Sequence, residues 1–156
     1  MRNRCVSTMS KVLNPEPKVI AFLCKWCSSN AADLAGVSRM KYPANVIAIE
    51  TPCSGRVDPT YIFDALAEGA DGVIVAGCHP GECHYIVGNY KTLKRMVLVQ
   101  ELAGQMGVED ERIRLEWISS SEAKKFVTTM AEFIEKLKYL PPNPMRNNEI
   151  AQEVKH

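Results

Sequence analysis

The sequence predicts an α/β domain: a small, mostly parallel four-stranded sheet of strand order 2-1-3-4, flanked by helices. Three observations predict it. Three short, continuous apolar runs, Lys18–Leu23 (KVIAFL), Val46–Ile49 (VIAI) and Gly72–Ala76 (GVIVA), suit parallel strands buried on both faces. Segments with helical spacing fill the gaps between them. A fourth run, Arg112–Trp117, alternates Ile113, Leu115 and Trp117 with Arg112, Arg114 and Glu116, the period-2 pattern of a half-exposed edge strand. Right-handed crossovers restrict the arrangement to a flavodoxin-like or Rossmann-like sheet. In such sheets ligands bind beyond the carboxyl ends of the strands, near the switch in winding direction.

Residues 1–17 are polar, mixed in charge and end in Pro-Glu-Pro, which reads as a flexible N-terminal arm. The domain then spans 18–140. Ser28–Met40 is expected to be helical, with Gly36 weakening it. Asp58-Pro59 opens the next helix, Asp58 as N-cap and Pro59 at the first helical position. Ile62, Phe63 and Leu66 give that helix an apolar face and Gly69 ends it. Between Tyr90 and Met106, Leu93, Met96, Val97, Leu102 and Ala103 form a broad apolar face, and Gly107 stops the helix. Ser119 and Glu122 have capping-box spacing before a last helix on which Phe126, Met130, Phe133, Leu137 and Leu140 recur. Residues 141–156 open with Pro-Pro-Asn-Pro and read as a tail or docking segment. No fixed-period repeat or low-complexity run is visible.

The 156 residues are the size of one domain. Nineteen Lys and Arg against 18 Asp and Glu leave a net charge of +1, which argues against a nucleic-acid partner bound through broad phosphate electrostatics. With 46% apolar and 24% charged residues the chain can bury a core. No apolar run approaches the roughly 20 residues of a membrane helix. The start lacks a signal-peptide stretch, so a cytoplasmic location is expected.

Six cysteines stand out: Cys5, Cys24, Cys27, Cys53, Cys78 and Cys83. In a cytosolic chain of this size they point to metal or redox chemistry rather than a disulfide framework. On the expected scaffold Cys24 ends the first strand, Cys53 follows the second after Thr51-Pro52, and Cys78 follows the third after Gly77. Cys27 joins them through Cys24-Lys-Trp-Cys27, and Cys83 through the loop Cys78-His-Pro-Gly-Glu-Cys83; Cys5 stays apart on the arm. Pro52, Gly55, Gly77, Pro80 and Gly81 allow tight turns and close backbone approach at that edge. A single cysteine is usually a packing residue. Five converging at matched strand ends suit a thiolate-bound soft metal, either zinc or an iron–sulfur cluster.

Two other readings compete. A structural zinc site would make the chain a bridging module. A thioredoxin-like dithiol at Cys24 and Cys27 would make it a thiol–disulfide oxidoreductase, but leaves Cys53, Cys78 and Cys83 unexplained. His79 and His84 flank the cysteine loop and read as neighbours of the ligands. Trp26 is placed to shield the centre from water, and Arg56 or Arg39 to stabilise an anionic cluster, although single arginines are usually surface residues. Tyr85 and Tyr90 read as packing. No G-x-G-x-x-G follows the first strand, and Walker A, G-x-S-x-G and H-E-x-x-H motifs are missing. The chain offers little for substrate acid–base chemistry, which an electron carrier does not need.

The segments FLCKWCSSNAADLAG, RMKYPANVIAIETPCSGRVDP, EGADGVIVAGCHPGECHYIVGNY and EWISSSEAKKF closely resemble the delta (iron–sulfur, D) subunit of the methyl-viologen-reducing [NiFe] hydrogenase of methanogenic archaea. The resemblance covers about residues 18–140 and fills all five family cysteine positions. It implies a [2Fe-2S] cluster. It also implies a relay of electrons from a hydrogenase or formate dehydrogenase module to heterodisulfide reductase, whose large subunit carries the flavin of an electron-bifurcating complex. Of the five cysteines, Cys24, Cys27, Cys53 and Cys83 are expected as ligands. Cys78, which immediately follows a strand and has least freedom to turn, is the expected spare and the alternative ligand.

Overall fold

β1 (Val19–Cys24) runs through the middle of the sheet, paired on both sides, and its successive residues meet opposite apolar layers. A computed structural model describes residues 11–146 of the chain. Its other elements are α1 (Ser28–Val37), β2 (Val46–Thr51), α2 (Pro59–Ala67), β3 (Gly72–Gly77), α3 (Gly88–Gln105), β4 (Ile113–Trp117) and α4 (Ala123–Leu137). All four strands are parallel and their order is β2-β1-β3-β4. The chain therefore winds one way from β1 to β2 and the other way from β3 to β4, which puts the switch between β1 and β3.

Val19, Ala21 and Leu23 of β1, with Ile74 and Ala76 of β3, face α1 and α4. Phe22, Val73 and Val75 face α2 and α3, where Ile62, Leu66, Met96, Val99 and Ala103 close the second layer. The apolar periodicity of α4 is realised in full: Phe126, Met130, Phe133 and Leu137 are buried and Leu140 packs beside them. Asp58 caps α2 by accepting from Thr60 N at 2.9 Å. Ser119 and Glu122 form half of the expected capping box. The Glu122 carboxylate accepts from Ser119 N at 2.7 Å, whereas the Ser119 hydroxyl turns to Ser121.

Three expectations need correction. β2 is not buried on both faces: Ile47 is 55% and Ile49 40% exposed. An edge strand has a neighbour on one side only, and these side chains remain exposed in a shallow apolar cleft they share with Ile20, Phe22 and Tyr61. Helix α3 begins at Gly88, two residues early, and packs through Thr92, Met96, Val99 and Ala103, while Leu93, Val97 and Leu102 point outward. Tyr85 and Tyr90 are surface residues rather than packing ones.

Arg112, 1% exposed, ties the lower end of the sheet together. Its guanidinium donates to the Asp71 carbonyl at 2.9 Å, to the Pro141 carbonyl and to Glu109. Asn143 Nδ2 donates to the carbonyls of Leu66 and Ala70, and the amides of Leu13 and Asn14 donate to Lys138 O. Residues 1–10, with Cys5, and 147–156 lie outside the described residues, so most of the expected arm and tail do too. Among the described residues no helix is long and apolar enough to cross a membrane.

Candidate metal centre

Parallel register brings the cysteines together. Leu23 pairs with Ala76, so Cys24 lies opposite Gly77, one residue before Cys78. Cys24 also pairs with Thr51, two residues before Cys53. The turn Cys24–Cys27 then leads into α1, whose first turn follows Cys27 directly. Five buried free thiols, Cys24, Cys27, Cys53, Cys78 and Cys83, make one contiguous cluster.

Within it the sulfurs sort into a trio and a pair. Cys24, Cys27 and Cys78 have sulfurs all within 4.8 Å of one another: Cys78 Sγ donates to Cys27 Sγ at 3.2 Å and lies 3.9 Å from Cys24 Sγ. Cys53 and Cys83 form the pair, both against Gly88 at the start of α3. A β-carbon on Gly88 would stand 2.4 Å from Cys53 Sγ and 3.0 Å from Cys83 Sγ. The chain reaches this position because the 3₁₀ turn Ser54–Arg56 crosses the end of β3 over Gly77, where a β-carbon would meet Ser54 Oγ at 2.5 Å.

Buried polar side chains brace the cluster, and the motif reading missed them. Ser28 Oγ accepts from Cys24 N and donates to Ala76 O, both at 2.8 Å, joining the ends of β1 and β3. Asn89 Nδ2 donates to the carbonyls of Cys78 and His79. Thr92 Oγ1 lies 2.9 Å from Ser54 Oγ. The signal was available for α3: Asn89, Thr92, Met96, Val99 and Ala103 recur at helical spacing, which sets two polar residues on an otherwise apolar buried face.

The electrostatics are those of thiols sharing charge. Hydrogen bonding from Cys27, opposed by burial and aided by the amides of Trp26 and Ser54 and by Cys78, lowers Cys24 from 9.0 to about 6. Cys27, which donates to that thiolate and is buried, is raised. Burial and the Cys24 charge push Cys78 up to about 11, and burial raises Cys53 against the amide of Gly55, which donates to its sulfur at 3.4 Å. Cys24 thus carries the most acidic thiol of the cluster, with Cys27 as the main hydrogen-bond donor to it. A positive metal centre would favour ionisation of the others. The donor set is all sulfur, buried, supplied with backbone N–H donors and fitted against bare glycine. That is the chemistry of a thiolate-bound soft-metal site, zinc or iron–sulfur.

The remaining candidates fall around this centre. Trp26, 45% exposed, stacks on His84 with ring centroids 3.7 Å apart, and both border a cleft that reaches Cys27 and Cys78. His79 turns away from the sulfurs and pairs with Glu122 at 2.7 Å. With the Ser119 amide, that contact holds the Glu122 carboxyl down at about 2. Arg56 is exposed on a cavity beside Cys53. Arg39 lies beyond the far end of α1, with a φ of 55°, and is not brought to the centre.

Residues 19–141 match the family model described as methyl-viologen-reducing hydrogenase, delta subunit. The chain is 51% identical over 127 residues to the iron-sulfur subunit of the F420-non-reducing hydrogenase of Archaeoglobus profundus, covering 81% of this chain and 93% of that protein. It is 45% identical over 135 residues to the iron-sulfur subunit of the F420-non-reducing hydrogenase vhc of Methanococcus voltae, covering 86% and 94%. It is also 47% identical over 126 residues to a component of the ferredoxin/F420H2-dependent CoB-CoM heterodisulfide reductase of Methanosarcina acetivorans, covering 81% of this chain but 16% of that protein.

Proposed function

The chain belongs to the methyl-viologen-reducing hydrogenase delta-subunit family, and from that premise we propose that it is an electron-relay subunit. It passes electrons from a hydrogenase or formate dehydrogenase module to heterodisulfide reductase, within a flavin-based electron-bifurcating complex of methanogenesis in the cytoplasm. The observation that carries the reading is the edge of five buried thiols at the switch point of a parallel sheet. The names of its relatives supply the two partners: a hydrogenase for the iron-sulfur subunits, and the reductase for the longer protein in which a similar module occupies 16% of the chain.

A [2Fe-2S] cluster bound here would supply one-electron storage. Cys53 and Cys83 would hold one iron and Cys24 and Cys27 the other, with Cys78 a fifth thiol close enough to substitute. The chain's own residues set the surroundings. The amides of Trp26, Ser54 and Gly55 donate to the sulfurs of Cys24 and Cys53. The Trp26–His84 stack limits water at the Cys27 flank, the His79–Glu122 pair fixes the loop after Cys78, and Arg56 offsets negative charge beside Cys53.

Anaerobic purification of the full chain tests the reading. The expected product is brown, holds about two irons and two sulfides per chain, and gives a paramagnetic signal on reduction. A colourless protein with stoichiometric zinc would make the chain a structural bridge instead. A colourless, metal-free protein that reduces insulin disulfides would make it a dithiol oxidoreductase.

A further inference from the structure

A relay needs a surface on which a second protein can approach the thiols, and the two flanks of the centre differ in charge. Beside Cys53 opens a cavity of about 450 Å³ lined by Pro52, Gly55, Arg56, Tyr85, Gly88 and Lys91. Arg56 and Lys91 are exposed, and among the described residues neither makes an ion pair. Arg95 adds a third positive charge behind them, donating to the carbonyls of Gly55 and Val57. Asp58, the carboxylate near Arg95, is engaged in capping α2 through Thr60 N and Oγ1. At the other flank, the cleft at Cys27 and Cys78 is bordered by Glu82, His84, Ser119 and Ser120, with no Lys or Arg.

The rim of the basic cavity is apolar. Tyr85, Ile86, Val87 and Tyr90 are all exposed, Ile86 at 79%. Ile86 also has a φ of 66°, a left-handed conformation that β-branched residues avoid. The strain holds an apolar side chain out in water, where folding of this chain gains nothing from it. From Tyr90 the apolar surface continues along the outer face of α3 through Leu93 and Val97, at spacings of three and seven residues. A small anion held by Arg56 and Lys91 would have no use for a strip that runs two turns down a helix. Aromatic and arginine side chains are enriched at protein interfaces, and unpaired charge at the middle selects a partner of opposite sign.

We propose that the Arg56–Lys91 cavity and its Tyr85–Tyr90 rim are the docking surface for an electron-transfer protein that presents carboxylates within an apolar patch, bringing it to the Cys53 side of the centre. This rests on the relay function proposed above.

The test uses the full chain with its metal centre, the charge-reversed variant Arg56→Glu/Lys91→Glu, the neutral variant Arg56→Gln/Lys91→Gln, and Lys124→Glu on α4 as a remote control. Binding to the hydrogenase and to the heterodisulfide reductase of the same organism is measured separately, at about 50 and about 300 mM salt. One of the two is expected to bind the wild-type chain at least about tenfold more weakly at the higher salt. It should lose about tenfold or more on charge reversal and less on neutralisation, and keep wild-type affinity for Lys124→Glu. Visible absorption of each variant gives its content of intact centre, and affinities are read per intact centre. Wild-type binding of both proteins by Arg56→Glu/Lys91→Glu would overturn the proposal. So would charge dependence confined to self-association of this chain, which would mark the face as a contact between copies. A wild-type chain that binds neither protein would overturn the relay function itself, and this inference with it.

Discussion

Adding one methyl group at Gly88 separates two views of α3. Taken as a helix alone, Gly88→Ala should stabilise the chain, because alanine is favoured over glycine by up to about 1 kcal/mol in a helix. The structure predicts the opposite sign. The new β-carbon would sit 2.4 Å from Cys53 Sγ and 3.0 Å from Cys83 Sγ. Both sulfurs would have to retreat, the nearer by roughly half an ångström or more, into a packed layer where such overpacking costs about 1–3 kcal/mol. The net effect on the chain is a loss of about 1 kcal/mol, or about 2–4 °C in melting temperature for a domain of this size. The effect on the centre is larger, because two of its sulfurs are displaced together. Gly36→Ala is the internal control: it is also helical, and its β-carbon would meet nothing within 4 Å. That variant should gain about 0.5–1 kcal/mol and keep full metal content. Iron and acid-labile sulfide content, visible absorption and thermal melts of the two variants side by side make the measurement. If Gly88→Ala retains wild-type iron and melts at or above the wild-type temperature, the packing of Cys53 and Cys83 against α3 has been misjudged.

The sorting of the sulfurs predicts a graded serine series. Cys53→Ser and Cys83→Ser should each bleach the visible spectrum, since each breaks the pair, whereas Cys78→Ser leaves two thiols in the trio and should keep a coloured centre; bleaching by Cys78→Ser alone would reverse the assignment. In the metal-free chain, thiolate absorbance near 240 nm should rise with an inflection at about pH 6, and Cys24→Ser should remove it. The linked stability has a definite sign. Cys24 is depressed below 9.0, so its contribution is present at pH 9 and is lost as the pH falls through about 6; Cys78 is raised to about 11, so the metal-free fold weakens again above pH 9. Urea midpoints across that range should therefore peak between pH 8 and 9, roughly, and a flat profile would refute the shared-thiolate picture. Arg112→Met leaves the carbonyls of Asp71 and Pro141 without their donor and should cost about 3 kcal/mol, or roughly 6–12 °C in melting temperature, measured by circular dichroism.

Strand order was legible because buried parallel strands write themselves as continuous apolar runs and crossover handedness leaves few alternatives. The orientation of α3 was not. Tyr90, Leu93 and Val97 repeat at helical spacing as well as Met96, Val99 and Ala103 do, so periodicity cannot say which stripe meets the sheet. Two buried polar residues decide it: Asn89 and Thr92 find their partners outside α3 on the inner side, in Cys78 O, His79 O and Ser54 Oγ. The exposure of Ile47 and Ile49 escaped notice for a related reason. A run of four apolar residues does not reveal that α2 leaves the outer strand uncovered. Nor does any local pattern announce a left-handed Ile86.

The convergence of five cysteines could be read from strand ends, but their division into three and two could not, because it depends on a crossing that spacing does not encode. Cys24, Cys27 and Cys78 come from the adjacent strands β1 and β3 and meet through register alone. Cys53 starts from β2, on the far side of β1, and must pass over the end of β3 to reach Cys83. Gly77 and Gly88 permit that passage. At Gly77 a side chain would collide with the crossing turn, and at Gly88 with the sulfurs themselves. The trio is thus a property of the sheet and the pair a property of α3. A perturbation of α3, whether a methyl group at its first residue or a protein docked along its outer face, reaches the sulfurs of Cys53 and Cys83 before those of Cys24 and Cys27, and touches Cys78 only through the Asn89 bond to its carbonyl.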